Sequence, residues 1–291
     1  EPPFNDAHKD FLSGQLLVKK LLDGYFDNQV PTNAEQIYVM AMLLESEAQV
    51  EEIKARLANS DNFTDLAREK SLDYFSRLSG GDYGWHSKDI LGGLLPGPII
   101  DSAFTATAGV ISRPIYDEET EKGLGYWLVK ILDRNVEEEE THVLLMLLGS
   151  EEAALNAGDR LDAGESFGAV AGDLSQMKGA EENKGEYMLT PGMMSPTLDE
   201  YIFDPEIPLQ TVSEPIIDES VATQGGYWLL KITGREMDRP IEDDDRSLLK
   251  AKAFEEWFTE RWDHPDNQID HSYLNEDNKA WAIKQVVKSG I

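Results

Sequence analysis

The chain has 291 residues, no cysteine, and 56 acidic against 26 basic residues, a formal charge of -30. The length exceeds one typical domain, and the charge repels phosphate backbones and anionic headgroups, which argues against nucleic-acid partners. Without cysteine there is no disulfide, thiolate chemistry or cysteine-ligated zinc, and no apolar run approaches the roughly 20 residues of a membrane span.

The chain opens at Glu1-Pro2-Pro3 without methionine, so an export or anchor segment removed ahead of it is expected, and with it a membrane tether. Helical spacing of Leu12, Leu16, Leu21, Leu22, Tyr25 and Phe26 predicts a helical arm over residues 1–31, capped by Asn5 and stopped at Val30-Pro31. Ile37 to Leu44 reads as a strand, Ser46 to Leu57 as a long helix, and Asn62-Phe63-Thr64-Asp65 as the start of a second helix ending near Lys70. After a Gly-rich loop come a short helix near Ile99 to Phe104 and strands around Ile111 to Tyr116 and Gly125 to Leu132. Asn135-Val136-Glu137-Glu138-Glu139-Glu140 reads as a charged, solvated linker. The same order then returns: a strand (His142 to Leu148), helices (Glu151 to Leu161, Phe167 to Leu174), a short helix near Leu198 to Phe203, and strands near Thr211 to Ile217 and Gly226 to Thr233. Glu242-Asp243-Asp244-Asp245 suits the start of a final long helix, with Leu248, Ala251, Phe254, Trp257 and Phe258 as its stripe, before a short helix around Trp281 to Val287.

The return is a duplication. Gly125-Tyr126-Trp127-Leu128-Val129-Lys130-Ile131 reappears as Gly226-Tyr227-Trp228-Leu229-Leu230-Lys231-Ile232. Upstream, Phe63, Ser71 and Gly81 match Phe167, Ser175 and Gly185 at a constant offset of 104, which later settles at 101. Shifts of that kind are what loop-length changes between duplicated domains produce. The expected architecture is α+β: two modules at 36–134 and 141–236, each a small antiparallel sheet flanked by helices, plus a helical region from the arm and residues 240–291.

Phe63-Thr64-Asp65-Leu66-Ala67-Arg68-Glu69-Lys70-Ser71, then Gly80-Gly81-Asp82-Tyr83-Gly84-Trp85, Ala103-Phe104, Gly109-Val110-Ile111-Ser112-Arg113-Pro114-Ile115 and the Gly-Tyr-Trp strand resemble the parvulin (rotamase, PpiC) family of peptidyl-prolyl isomerases. The second module is similar but more worn, and the layout resembles the SurA-type and PrsA-type extracytoplasmic foldases. The resemblance implies a folding factor of the cell envelope that uses no cofactor or metal and takes unfolded or exported polypeptides as clients. It also implies site residues. The family's two histidines fall on Ala41 and Trp127 in copy one and on Leu145 and Trp228 in copy two, so both are missing twice. The family's Cys/Asp position falls on Asp73, the one retained polar candidate for catalysis, and on Met177. The apolar slot for the proline ring falls on Leu95, Ile99 and Phe104, and on Met194, Leu198 and Phe203. Rotation of an X-Pro bond crosses a barrier of about 20 kcal/mol, and polar partners placed for a transition state each contribute about 3 kcal/mol. Weak or lost isomerisation with retained binding is therefore expected.

Blander readings stand beside these. Trp127 and Trp228 read first as core fillers of the last strands and only second as binding platforms. His142 suits a solvated strand end and His86 an exposed loop. His264 and His271, near Asp263, Asp266 and Asp270, lack the spacing of an EF-hand or a helical metal pair. The sequon Asn62-Phe63-Thr64 fits a helix start. Met40, Met42, Met146, Met188, Met193 and Met194 offer either core or an adaptable client surface. The alternative function is a non-catalytic scaffold that binds one specific partner or forms a homodimer.

Overall fold

The computed structural model describes residues 6–135 and 137–262. Asn5, His264, His271 and the helix expected at Trp281 to Val287 lie outside the described residues. Those described form a helical unit, 6–34 with 240–262, and a larger unit of 35–239.

In the helical unit, α1 (Asp6–Lys20) continues through a π turn (Leu21–Tyr25) and a 3-10 turn (Phe26–Asn28). It meets α11 (Asp243–Trp262) where buried Phe26 sits edge-on to Phe254 at 5.7 Å and Trp257 at 6.0 Å. Such T-shaped contacts suit the aromatic quadrupole. Asp27 accepts hydrogen bonds from Arg246 and Lys250, and these bonds hold its carboxyl below the ordinary range. No helix among the described residues is long and apolar enough to cross a membrane.

The larger unit holds two four-stranded sheets with helices against them. The first run gives β1 (Asn33–Leu44), α2 (Glu47–Ala58), α3 (Phe63–Lys70), α4 (Tyr74–Ser79), β2 (Asp82–Ser87), α5 (Lys88–Leu91), α6 (Gly97–Thr105), β3 (Ile115–Lys122) and β4 (Gly125–Asn135). The second gives β5 (Glu140–Leu148), α7 (Glu151–Asp162), α8 (Phe167–Leu174), α9 (Ala180–Asn183), β6 (Glu186–Leu189), α10 (Pro196–Phe203), β7 (Ile216–Asp218) and β8 (Thr223–Pro240). Side-chain caps open the helices in matching places: Ser46 and Ser150 before α2 and α7, Asn62 and Ser166 before α3 and α8. The Asn62 cap accepts from Thr64 N at 2.8 Å, so the sequon serves as a helix start.

The repeated residues hold repeated contacts. Leu43 N–H donates to Ser71 Oγ at 3.1 Å and Leu147 N–H to Ser175 Oγ at 3.2 Å. Gly81 and Gly185 sit at φ 79 and 74, and an added Cβ would stand 2.8 and 2.6 Å from the carbonyls of Ala41 and Leu145. Only glycine fits there without a shift. Arg56 bridges Asp61 and Glu69 just as Arg160 bridges Glu165 and Asp173.

Strand pairing departs from the expectation that each copy closes its own sheet. The orders are β2-β1-β8-β3 and β6-β5-β4-β7, so each copy contributes its last strand to the other's sheet. Strand β4 pairs with β5 from Tyr126 against Leu148 to Asn135 against Glu140, and β8 pairs with β3 with Tyr116 against Tyr227. One sheet module is thus residues 33–122 with 223–240, and the other is 125–218. The physical reason lies in the two near-identical strands, each able to fill either sheet, and in the short connection between β4 and β5. A hairpin closes at less chain-entropy cost than a long return. The expected solvated linker is accordingly a hairpin turn, with Asn135 Oδ1 accepting from Glu137 N at 3.2 Å and Glu139 at φ 53.

Strands β2 and β6 and helix α4 occupy stretches expected to be loop. The strand expected from Ile111 begins instead at Ile115, with Ile111 making a single bridge to Lys231.

Candidate functional site

Exchange reassigns the tryptophans. Trp228, expected in the second site, lies in the core of the first, with Ala41, Tyr83, Leu95 and Ile99 and against Phe104. Trp127, expected in the first, lies in the second, with Leu145 and Leu198 and against Met177, Met194 and Phe203. Both indoles are 3 % exposed, and both ring nitrogens are satisfied. Trp127 Nε1–H donates to Asp218 Oδ2 at 3.0 Å, and Trp228 Nε1–H donates to Thr120 Oγ1 at 3.2 Å, while Thr120 in turn bonds the Asp117 carboxylate. A buried indole with its one donor satisfied is a core group.

Burial pushes the Asp218 carboxyl up, but hydrogen bonds from Ser195, Ser220 and Trp127 outweigh it, and the net direction is down. Ser220 donates from both Oγ (2.6 Å) and N (2.9 Å), and Ser195 Oγ also points to this carboxylate. Sequence reasoning passed over both Asp117 and Asp218, although they occupy corresponding positions at the offset of 101.

Asp73 is the N-cap of α4: its Oδ2 accepts from Ser76 N at 2.6 Å and from Tyr83 OH at 3.1 Å. Burial, with Asp73 beside it, raises the Tyr83 phenol well above its ordinary value, so it stays a neutral donor. In the second module Met177 holds the equivalent place and caps nothing, and α9 starts instead from Gly179 at φ 84.

The expected ring slot is closed at its base. Ile99 and Leu198 have no exposed surface and Leu95 is buried, whereas Phe104, Met194 and Phe203 are half-buried. Apolar surface is displayed beside the first site, on α4, where Tyr74, Phe75 and Leu78 are exposed. The Phe75 ring lies 4.8 Å from that of Tyr83, which joins this face to the first core.

The remaining candidates separate cleanly. His142 Nε2 pairs with Glu186 Oε1 at 2.7 Å across β5 and β6, and His86 lies on β2 opposite Ile37. Among the described residues no three His, Asp or Glu side chains are grouped to hold a metal. Met42 and Met146 are fully buried, Met40 is half-buried, and Met188 and Met193 are exposed.

Known proteins resemble parts of this chain. A rotamase domain of the PPIC-type PPIase kind matches residues 41–133. Chaperone SurA of Chromohalobacter salexigens is 27% identical over 80% of this chain and 57% of its own length. Foldase protein PrsA of Geobacillus kaustophilus is 29% identical over 40% of this chain and 37% of its own. The chain therefore spans little more than half of the first relative and less of the second. A solved PrsA from Bacillus anthracis covers 90% of this chain and is covered to 76%, at 15% identity and a TM-score of 0.32. Residues 41–133 thus resemble a PPIC-type peptidyl-prolyl isomerase domain, and the chain as a whole is similar to SurA and PrsA proteins.

Proposed function

We propose that this chain is an extracytoplasmic folding factor that holds apolar or proline-containing segments of unfolded polypeptides, with isomerase activity weak or lost in both modules. The observation that carries the reading is the state of the two tryptophans: each fills a family histidine position, is buried, and spends its single N–H on a neighbouring Asp or Thr. With Ala41 and Leu145 fully buried at the other histidine positions, neither site retains the polar pair. Asp73 does not replace it, because its carboxylate is engaged in capping α4 and in the Tyr83 bond.

Binding is supported by the exposed apolar face of Tyr74, Phe75 and Leu78 and by the half-buried Phe104, Met194 and Phe203 at the slots. Aromatic and methionine side chains take varied apolar partners without fixed register. The net charge of -30 helps keep a client-laden chaperone in solution. The extracytoplasmic setting rests on the resemblance of the layout to exported foldases. The test is light scattering of an aggregating unfolded client: stoichiometric protein is expected to suppress it, and unchanged scattering would overturn the reading.

A further inference from the structure

Between the two modules runs a groove of about 830 Å³ with aliphatic contacts and acidic walls. Its base is Leu72, Leu124 and Tyr126, and on its second-module side Leu155 of α7 and Ile217 of β7 are each 51 % exposed. Seven of its lining side chains are acidic, Glu52, Asp159 and Glu219 among the exposed ones, against one base, Lys70. That base is already neighboured by Glu69 at 3.5 Å. Arg56 also holds Glu69, which leaves Glu52, Asp159 and Glu219 beside two large aliphatic side chains without an ion-pair partner among the described residues.

We infer that this groove is a docking site for extended polypeptide segments that alternate lysine or arginine with aliphatic residues. The aliphatic contacts fix no charge, but the walls do: an anionic segment is repelled and a cationic one attracted, which acts on selection and association rate. The acids are spread over the residue after β1, α2, α3, α7 and the residue after β7 and do not converge on one point, and no metal-holding group of three occurs among the described residues. Several cationic side chains spaced along a chain match that spread better than one small ion. An extended form suits the place, because β7 is an outer strand of its sheet and carries Ile217 into the groove.

This inference deepens the folding-factor reading by naming a client class. The experiment is fluorescence anisotropy with a labelled alternating lysine–isoleucine peptide and its glutamate–isoleucine and lysine–serine counterparts, at low and high salt. The lysine–isoleucine peptide is expected to bind about tenfold or more tightly than either counterpart and to weaken with salt. Leu155→Ser with Ile217→Ser, and separately Glu52→Gln with Asp159→Asn and Glu219→Gln, should each weaken it at least about fivefold. All five positions are exposed, and an unchanged melting curve verifies the fold. Equal binding of the three peptides, or binding unaffected in both variants, overturns the inference. Client aggregation is scored in parallel, so suppression that persists without lysine–isoleucine selectivity rejects the groove and leaves the folding-factor reading standing.

Discussion

Trp127 and Asp218 stand on adjacent strands drawn from different copies of the repeat, joined by an indole N–H to carboxylate bond of 3.0 Å. The bond couples the exchanged strand β4 to the edge strand β7 inside a closed core, and several consequences can be measured.

Asp218→Asn removes a charged acceptor of three side chains, and should cost about 1–3 kcal/mol of stability at neutral pH. The Asp218 carboxyl sits below its ordinary value in the folded state. Its contribution is therefore present above the unfolded value of about 3.9 and fades as pH falls through the lower folded value. Denaturant melts of wild type and variant should converge in acid, and a constant gap from pH 7 downward would contradict the assignment.

Exchange can be read directly because the chain has no cysteine of its own. Tyr116→Cys with Tyr227→Cys places thiols on register partners of β3 and β8, at the Cα separation of about 5 Å that a disulfide accepts. The pair should oxidise to an intramolecular bridge in monomeric protein. Tyr116→Cys with Tyr126→Cys, the pair that unexchanged sheets would bring together, should stay reduced. The reverse pattern on a non-reducing gel would reject the topology.

Core and surface aromatics should behave oppositely. Trp228→Ala empties a fully enclosed indole site and should cost about 3–5 kcal/mol. Phe75→Ser, half exposed on α4 with its ring against Tyr83, should cost no more than about 1.5 kcal/mol while weakening client holding. Loss of holding from the Trp228 variant with no loss of stability would make that tryptophan a binding platform.

Much of this was legible in the residues. The constant offset paired Ser71 with Ser175 and Gly81 with Gly185, and these residues make matching strand-anchoring contacts. The destination of the last strands was not legible, because two almost identical heptapeptides carry no information about which sheet each enters. The glycines of Gly80-Gly81-Asp82-Tyr83-Gly84 masked β2, since strand propensity there is low and the strand forms by pairing with β1. Asp73 reads from sequence as an acid at a family position. Its capping bond to Ser76, three residues on, was a local signal that could have been drawn from the same stretch.

The central claim is that the modules hold proline-containing segments without turning them over. Exchange-spectroscopy NMR on short X-Pro peptides, with wild type and with Asp73→Ala, tests it most directly. The account predicts shifted peptide resonances with cis–trans exchange no faster than in buffer, for both proteins. Exchange accelerated by wild type and lost in Asp73→Ala, with the melting curve preserved, would contradict it and make the first module a working isomerase.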